Sequence, residues 1–435
     1  MALQSEIIPF TLRNGTGTQV VSHILFPGSA AKSIIFMSVV PPGVNREAYS
    51  FGIDDGITHI GNSMSGTELF GVHLTARMWS SQYSLTAVHS QASFGGASQQ
   101  VRGYVSSITT GNFTLTFTLN SMAGAQWYAI VISGTDVSCK VGTINPHSPN
   151  LPVTASLGFD PIAIITLNTG ILDPTNSVSG ATADYGFAVP CHGLQVCWSA
   201  STGPINSDSR NFQLAGIVDA KVDDISSIGS APLAQRNISA YPANGFTLDG
   251  SNLVTFSDWY FGYLAIGGSA VAANLVSINQ PSVLGIQDIA TDAFFPKLAF
   301  FGSTNHLTSS VISANFNFTF GVYDGINQVT QWMGDLNGAP NPYKQHGRSS
   351  TSSCILMATP TGPATSIINA QASCVGFSPN KVSLNWSTVD STAREIWMLL
   401  LGDGTAAGPC GGNPGEPGAG IYKQVVGRTN DRLFV

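Results

Sequence analysis

The sequence predicts an all-β protein made of three tandem antiparallel β-sandwich or jelly-roll-like repeats. A strand that follows a proline recurs after 134 and then 135 residues. An aromatic-glycine pair follows each of these prolines at the same distance, 25 residues. The intervening segments are short, rich in Val, Ile, Thr, Phe and Tyr, and punctuated by Asp-Gly or Asn-Gly pairs, which is typical of strands joined by tight turns.

Features that keep their spacing are expected to mark equivalent positions. The prolines that open the repeats are Pro27, Pro161 and Pro296. The glycines of the aromatic-glycine pairs are Gly52, Gly186 and Gly321. Near the end of each repeat a tryptophan follows the opening proline by 100, 98 or 101 residues, at Trp127, Trp259 and Trp397. Because a spacing kept three times indicates a structural role, we expect the shared aromatic residues to face the cores.

Short connectors with proline are expected between the repeats, at Ile144-Asn145-Pro146 and at Ile278-Asn279 with Pro281. We therefore divide the chain into residues 1–147 (repeat 1 with an N-terminal arm), 148–284 (repeat 2), 285–408 (repeat 3) and 409–435 (a Gly/Pro-rich C-terminal tail). The tail begins PCGGNPGEPGAG and continues with the more apolar IYKQVVGRTNDRLFV. Our hypothesis is that this second part docks onto a neighbouring subunit.

Alternating apolar and polar residues predict strands in FTLTFTL (113–119) and FNFTFGV (316–322). Tight hairpin turns are expected at Asp-Gly and Asn-Gly pairs, because both residue types accept positive φ. These pairs are Asp55-Gly56, Asp249-Gly250, Asp324-Gly325 and Asn244-Gly245.

Charged residues make up only 9% of the chain, against roughly 25% in typical soluble domains. Hydroxyl and amide groups cost less to desolvate than ions, so such a surface is easier to bury against neighbours. The composition favours subunit assembly, including a homo-oligomer, over the alternative of an extracellular monomer. The net charge is −7, and the basic residues form no run, so we expect no binding to nucleic acid.

The beginning of the chain, MALQSEIIPF, lacks the pattern of a signal peptide. No stretch of about 18 apolar residues predicts a membrane span. We therefore expect folding in a cytoplasm and no membrane insertion. Six irregularly spaced cysteines are too few for a disulfide framework, and most are expected to be reduced, buried side chains: Cys139, Cys191, Cys197, Cys354, Cys374 and Cys410.

Candidate catalytic and metal motifs are weak, and we assign no catalytic residue, no metal and no cofactor. GNSMSG (61–66) lacks the strand-to-helix context of a nucleophile elbow, and GSAAKS (28–33) lacks the glycines and the helix of a phosphate loop. Cys191, His192 and Cys197 are too few for a zinc site. Acidic residues that could collect calcium are better explained as turn and surface residues: Asp54, Asp55, Glu68, Asp223 and Asp224.

Trp198 and Trp332 follow their prolines by 37 and 36 residues. If they were exposed they could stack on sugar rings, so both are candidate glycan contacts. The competing interpretation, which we favour, is that they pack in a core.

Several segments resemble a repeat found in tailed-bacteriophage virion proteins. They are SPNKVSLNWSTVDSTAREIWMLLLGDG and FTFGVYDGINQ in repeat 3, and GFDPIAIITL, NGFTLDG and YLAIGG in repeat 2. Repeat 1 matches more loosely and ends in VISG, where the family has two glycines. The resemblance covers most of the chain, but its motifs are structural and identify no catalytic group.

The resemblance implies a non-enzymatic virion component of the tail, collar or head-decoration type, assembled in the host cytoplasm with other virion proteins as partners. The alternative is a carbohydrate-binding adhesin or receptor-binding protein that contacts a host-surface glycan. A glycan-cleaving enzyme is a third possibility, which would require paired carboxylates in a groove.

Overall fold

A computed structural model gives the three-dimensional arrangement of most of the chain. It describes residues 3–24, 30–39, 46–69, 72–90, 97–144, 152–168, 177–179, 181–190, 193–202, 209–221, 234–251, 260–291, 294–308, 311–314, 316–335, 345–362 and 365–404. Within these ranges the protein is all-β, without an α-helix.

The thirty-two strands of the described residues divide into three series. The first series is β1 (Gln4–Thr11), β2 (Gly17–Ser22), β3 (Ala31–Val39), β4 (Arg46–Asp54), β5 (His59–Leu69), β6 (Val72–Ser80), β7 (Leu85–Ser90), β8 (Ala97–Thr109), β9 (Asn112–Asn120) and β10 (Gln126–Ser133). The second is β11 (Ser138–Ile144), β12 (Val153–Ser156), β13 (Pro161–Asn168), β14 (Ser177–Ser179), β15 (Ala181–Val189), β16 (Leu194–Thr202), β17 (Ser209–Ala215), β18 (Asp219–Lys221), β19 (Ala234–Ala240), β20 (Gly245–Ser251) and β21 (Phe261–Gly267). The third is β22 (Val271–Asn279), β23 (Gly285–Ala290), β24 (Phe295–Ser303), β25 (Val311–Ala314), β26 (Phe316–Tyr323), β27 (Gln328–Asp335), β28 (Gln345–Ser350), β29 (Ile355–Gly362), β30 (Thr365–Ser378), β31 (Lys381–Thr388) and β32 (Glu395–Asp403).

Each series folds into a sandwich of a large and a small antiparallel sheet. The large sheets have the strand orders β1-β10-β3-β4-β5-β6, β11-β21-β13-β15-β16-β17 and β22-β32-β24-β26-β27-β28. The small sheets have the orders β2-β9-β8-β7, β12-β20-β19-β18 and β23-β31-β30-β29. The same order appears three times, so the predicted fold of three tandem β-sandwich repeats is confirmed.

Sheet membership divides the chain earlier than the connectors suggested. β11 pairs along its whole length with β21, and β22 pairs in the same way with β32, so both strands belong to the repeat that follows them. By this criterion the links between repeats are residues 134–137 and 268–270, not the expected boundaries at 147/148 and 284/285. Gly134 and Gly268 begin these links with positive φ values of 139° and 144°, which favour glycine.

The opening prolines are equivalent in repeats 2 and 3 but not in repeat 1. Pro161 and Pro296 each precede a β-bulge, opposite Gly267 and Gly402 respectively. In repeat 1 the residue before the same bulge is Ala31, opposite Ser133. Pro27 lies outside the described residues and four positions before Ala31. The constant spacing of 25 residues therefore does not reflect a common strand register in repeat 1.

The glycines of the aromatic-glycine pairs do occupy one structural position. A Cβ atom at Gly52, Gly186 or Gly321 would collide with the backbone carbonyl oxygen of Ser84, Val218 or Cys354, respectively. Each of these carbonyls immediately precedes the strand β7, β18 or β29, at the edge of the small sheet. Glycine is required here because the two sheets of each sandwich approach too closely for any side chain.

The hairpin turns fall where three of the four dipeptides predicted them. Gly56 and Gly325 have positive φ in the turns that follow β4 and β26, and Asn244 has positive φ before β20. The prediction for Asp249-Gly250 is wrong, because both residues lie within β20 and pair with β19.

The two kinds of sheet differ in burial. In β9, buried Phe113, Leu115 and Phe117 alternate with partly or fully exposed threonines. In β13 every residue is buried, as is every residue of β21. The central strands of the large sheets are therefore covered on both faces, whereas the small sheets have one solvent-facing side. FNFTFGV lies in β26, an inner strand of the large sheet of repeat 3, and its residues Phe318, Thr319 and Phe320 are all buried.

The glycine requirement predicts a sharp difference between two substitutions in repeat 3. Gly321→Ala places a methyl group against a backbone carbonyl that cannot move aside, and we expect a loss of about 3 kcal/mol of unfolding free energy. Gly376→Ala is the matched control, because a Cβ atom there meets no atom within 4 Å. Urea denaturation of both variants tests this, and equal stabilities would contradict the close approach of the sheets.

Candidate functional site: the interface among the three repeats

Each large sheet packs against its own small sheet with one face. The opposite faces of the three large sheets meet in one shared core. At its centre lie Phe51, Tyr185 and Phe320, the residues that immediately precede the three equivalent glycines. The ring centroids of Phe51 and Phe320 are 4.9 Å apart, those of Tyr185 and Phe320 are 5.1 Å apart, and those of Phe51 and Tyr185 are 6.4 Å apart. Equivalent residues of three repeats thus surround one point, as they would around a threefold axis.

This aromatic centre is extended by a second set of contacts. Phe318 packs edge-on against Tyr185 at 4.5 Å and against Tyr49 at 5.5 Å. Such pairs contribute about 0.5–1.5 kcal/mol each beyond the area they bury. The hydroxyl of Tyr185 donates a hydrogen bond to the carbonyl of Thr319 at 2.7 Å. Burial raises the pKa of Tyr185 well above its ordinary value, so the phenol remains a neutral donor.

Carboxylates in equivalent turns connect successive repeats. Asp55, in the turn after β4, accepts a hydrogen bond from the backbone amide of Val141 in repeat 2 at 2.9 Å. Asp324, in the turn after β26, accepts one from the amide of Ile7 in repeat 1 at 2.6 Å. Ile7 and Val141 occupy the same position in β1 and β11, judged by their partners on β10 and β21. We call these contacts the aspartate clamps.

The third contact of this kind is apolar. Val189 stands where the other repeats have the clamp aspartate, three residues after its glycine, and β15 lies against β22 of repeat 3. Val189 and Leu275 of β22 belong to the same buried cluster. Repeat 1 therefore contacts repeat 2, repeat 2 contacts repeat 3, and repeat 3 returns to repeat 1. We call this closed arrangement the three-repeat ring.

In two of the three contacts, one repeat adds a strand to the large sheet of the preceding repeat. β14 of repeat 2 pairs with β6 at the edge of the large sheet of repeat 1. β25 of repeat 3 pairs with β17 at the same edge of repeat 2. Each becomes a seventh strand of the preceding repeat's large sheet, so neighbouring repeats share backbone hydrogen bonds as well as side-chain packing.

A buried polar network joins repeats 2 and 3. Gln213 accepts a hydrogen bond from the indole nitrogen of Trp198 at 3.0 Å and donates one to Glu395 at 2.8 Å. Asn211 donates to the carbonyl of Thr304 at 2.9 Å. The side-chain oxygen of Asn211 lies 2.9 Å from Nε2 of His306. Burial lowers the pKa of His306 and favours a neutral imidazole, and this effect outweighs the opposing effects of Asn211 and Glu395.

Trp198 and Trp332, the candidate glycan contacts, are both fully buried. Trp198 packs in the shared core, and Trp332 packs with Leu356 and Ala358 inside repeat 3. Trp198 lies opposite Tyr185, whereas Trp332 lies opposite Thr319, one position out of register. A shift of one residue turns a side chain to the other face of a strand. The glycan-contact prediction is therefore wrong in this structure, and the packing interpretation applies.

The closing tryptophans are also not equivalent. Trp127 lies opposite Ser38 and packs between the two sheets of repeat 1. Trp397 lies opposite Gly302 and belongs to the shared core. Counted from the common β-bulge, the residue of repeat 1 that corresponds to Trp397 is Tyr128. Trp259 lies outside the described residues.

The motifs weighed for catalysis have structural surroundings where they are described. GNSMSG forms part of β5, without the helix that a nucleophile elbow requires. The carboxylate of Asp54 accepts hydrogen bonds from Ser84 at 2.6 Å and from the amide of Val105 at 3.0 Å, which ties the large sheet of repeat 1 to its small sheet. Cys191, His192, Asp223 and Asp224 lie outside the described residues. The side chain of Glu68 does as well.

Four cysteines are described, and none of them forms a disulfide. Cys197, Cys354 and Cys374 are buried, and Cys139 is half-buried. Burial raises the pKa of Cys139 and of Cys374 to about 12. Protonated thiols in such surroundings behave as small apolar side chains. Cys410 is not among the described residues.

The aspartate clamps predict two locally distinct effects. Asp324→Ala removes the acceptor for the Ile7 amide, so we expect a loss of about 1–3 kcal/mol and faster hydrogen exchange at Ile7. Asp55→Ala is the matched variant, because each carboxylate also accepts two amide hydrogen bonds inside its own turn. We expect Asp55→Ala to speed hydrogen exchange at the Val141 amide and to leave exchange at the Ile7 amide unchanged. Unchanged exchange at Ile7 in the first variant would contradict the closure of the ring.

The polar network predicts a pH effect on stability. The pKa of His306 in the folded protein lies below the 6.5 expected for the unfolded chain. The contribution of neutral His306 to the free energy of unfolding is therefore fully present above pH 6.5. It is lost as the pH falls through the pKa of His306 in the folded protein. The urea midpoint should fall between about pH 7 and pH 5, and less steeply in His306→Gln.

His23 in repeat 1 is a suitable comparison, because burial also lowers its pKa and it lies outside the network. His23→Gln should remove its own part of the pH dependence and leave the part due to His306. An identical pH profile for the wild type and His306→Gln would contradict the prediction.

Comparison with known proteins adds no assignment. No protein-family model matches the chain, and no match is found among the curated proteins. In the described part of the chain, no three His, Cys, Asp or Glu side chains form a group that could hold a metal ion. No described helix is long and apolar enough to cross a membrane.

Proposed function

We propose that the protein is a structural component of a tailed-bacteriophage virion, associated with the tail or collar or decorating the capsid. It acts through protein–protein assembly, catalyses no reaction, and is assembled in the host cytoplasm. The virion origin in this proposal is supported by the sequence resemblance, whose motifs lie on β26–β27 and β31–β32 of repeat 3 and on β13, β20 and β21 of repeat 2. These strands build the fold, so contact with other proteins depends on the surface of the three-repeat ring.

The observation that carries the proposal is the chemistry of the outward-facing small sheets. Because the large sheets pack around the shared core, the small sheets form the perimeter of the three-repeat ring. One of the two inner strands of each small sheet turns polar, mostly uncharged side chains outward: Thr114, Thr116 and Thr118 in β9, Thr247 and Asp249 in β20, and Lys381, Ser383, Asn385 and Ser387 in β31.

Such a perimeter suits extensive protein contact. Hydroxyl and amide groups can be desolvated at lower cost than ions, and they can form hydrogen bonds to a partner that match those they make with water. Exposed apolar side chains add area at the tips of the clamp turns, where Ile57 is 86% and Ile326 is 71% exposed. Cores of protein interfaces are depleted in charge in the same way.

The adhesin alternative has lost the observation that favoured it, since Trp198 and Trp332 are buried. Glycan binding is therefore an outcome that the following experiment can detect and not a second proposal.

The proposal predicts defined association of the purified protein, either with itself or with purified head and tail proteins of a virion. The association should change little between about 50 and 500 mM salt, because screening acts on charges. Thr116→Lys places a charge on the perimeter and should weaken association, whereas Ser121→Lys, exposed beyond the end of β9, should not. Sedimentation velocity measures both effects. A strict monomer that binds no virion protein, or one that binds only glycans on an array, would refute the proposal.

A further inference from the structure

Two of the three equivalent sheet edges in the ring are covered by a strand from another repeat. β6 is covered by β14, and β17 is covered by β25. Both added strands come from the connection between the third and fourth strands of the next repeat's large sheet. The pattern shows that this edge readily accepts one short extra strand.

The third equivalent edge is β28. Within the described residues, β28 has β27 as its single strand partner. It also lies beside β4 of repeat 1, as β6 lies beside β15 and β17 beside β26. The surroundings of the third edge thus match those of the first two, but the described chain supplies no added strand. An unpaired edge of this kind can recruit a strand from elsewhere.

The corresponding connection of repeat 1 is a poor donor by its sequence. The paired residues Phe36 and Gly52 are 16 positions apart in the chain, whereas Thr166 and Gly186, and likewise Phe301 and Gly321, are 20 apart. Residues 40–45 of repeat 1 also contain Pro41 and Pro42. Proline has no amide hydrogen to donate to a neighbouring strand.

Residues 405–435 are a second source of a strand. Gly404, the last described residue, follows β32, which is four strands from β28 in the same sheet. A seventh strand beside β28 would therefore lie five strand spacings from β32, or about 24 Å at about 4.8 Å per spacing. Residues 405–420 form a Gly/Pro-rich stretch of 16 residues, whose root-mean-square length as a flexible chain would be about 22 Å. The next segment, IYKQVV (421–426), has the β-branched and aromatic residues typical of strands.

In place of the docking onto a neighbouring subunit that the sequence suggested, we propose that residues 421–426 pair with β28 as the seventh strand of the large sheet of repeat 3, within the same chain. Because the length of the connecting stretch matches the distance to be spanned, the effective concentration of the segment at β28 is close to its maximum. Pairing would give the third edge the cover that β14 and β25 give the first two. The inference does not depend on the proposed function.

Hydrogen exchange of the full chain and of a chain ending at Gly404 tests the proposal. We expect the amides of β28 that do not donate to β27 to exchange at least about tenfold more slowly in the full chain. The amides of β6 and β17 serve as internal controls, because their edges are already paired, and they should be unchanged. Equal exchange of β28 in the two chains would overturn the proposal.

A substitution separates strand pairing from other effects of the truncation. Val425→Pro removes one amide hydrogen and should reproduce the faster exchange of β28, while Glu416→Pro in the connecting stretch should not. Measurements at 1 and 100 μM distinguish the source of the strand. Protection that appears only at the higher concentration would assign the strand to a second molecule and overturn the intramolecular proposal.

Discussion

The structure depends on the burial of three sheets on both faces. Each large sheet packs against its own small sheet on one side and against the other two large sheets on the other. The two requirements meet at the aromatic-glycine pairs. Phe51, Tyr185 and Phe320 fill the shared core, and the glycine that follows each of them allows the small sheet to approach on the opposite face. Neither residue of the pair can change freely, because a larger or smaller side chain on one face disturbs packing that is already dense.

Much of the fold could be predicted from the sequence, and the reason is physical. The equivalent glycines kept their spacing because backbone atoms meet there, and the alternation in β9 appeared because one face of a small sheet is solvated. A constant spacing between two residues did not indicate equivalent positions where a change of length in one connection offset a shift of the proline. Pro27 is four residues from its structural counterpart, Ala31, because the next connection of repeat 1 is shorter by the same number.

The interface among the repeats could not be predicted in the same way. Periodicity does not distinguish a strand buried on both faces from other buried segments, although β13 and β21 are apolar almost throughout. Tryptophans at nearly equal spacing proved to face opposite sides, because a difference of one residue is invisible to counting but reverses a side chain. The clamp residues Asp55 and Asp324 were recognised as turn formers. Their second role, binding an amide of another repeat, requires knowledge of which turn meets which strand.

The closure of the ring brings the beginning and the end of the described chain together. Ser5 donates a hydrogen bond to the carbonyl of Lys297 at 3.0 Å, and the ammonium group of Lys297 lies 3.7 Å from the carboxylate of Asp403. β1 thus lies beside β24, the neighbour of β32, just as β11 lies beside β3 and β22 beside β13. The order of the repeats along the polypeptide is therefore largely arbitrary in topological terms. A circularly permuted gene that joined the ends and opened residues 134–137 would encode the same ring, and a ribosome must translate at least about three quarters of the original gene before Asp324 can meet Ile7.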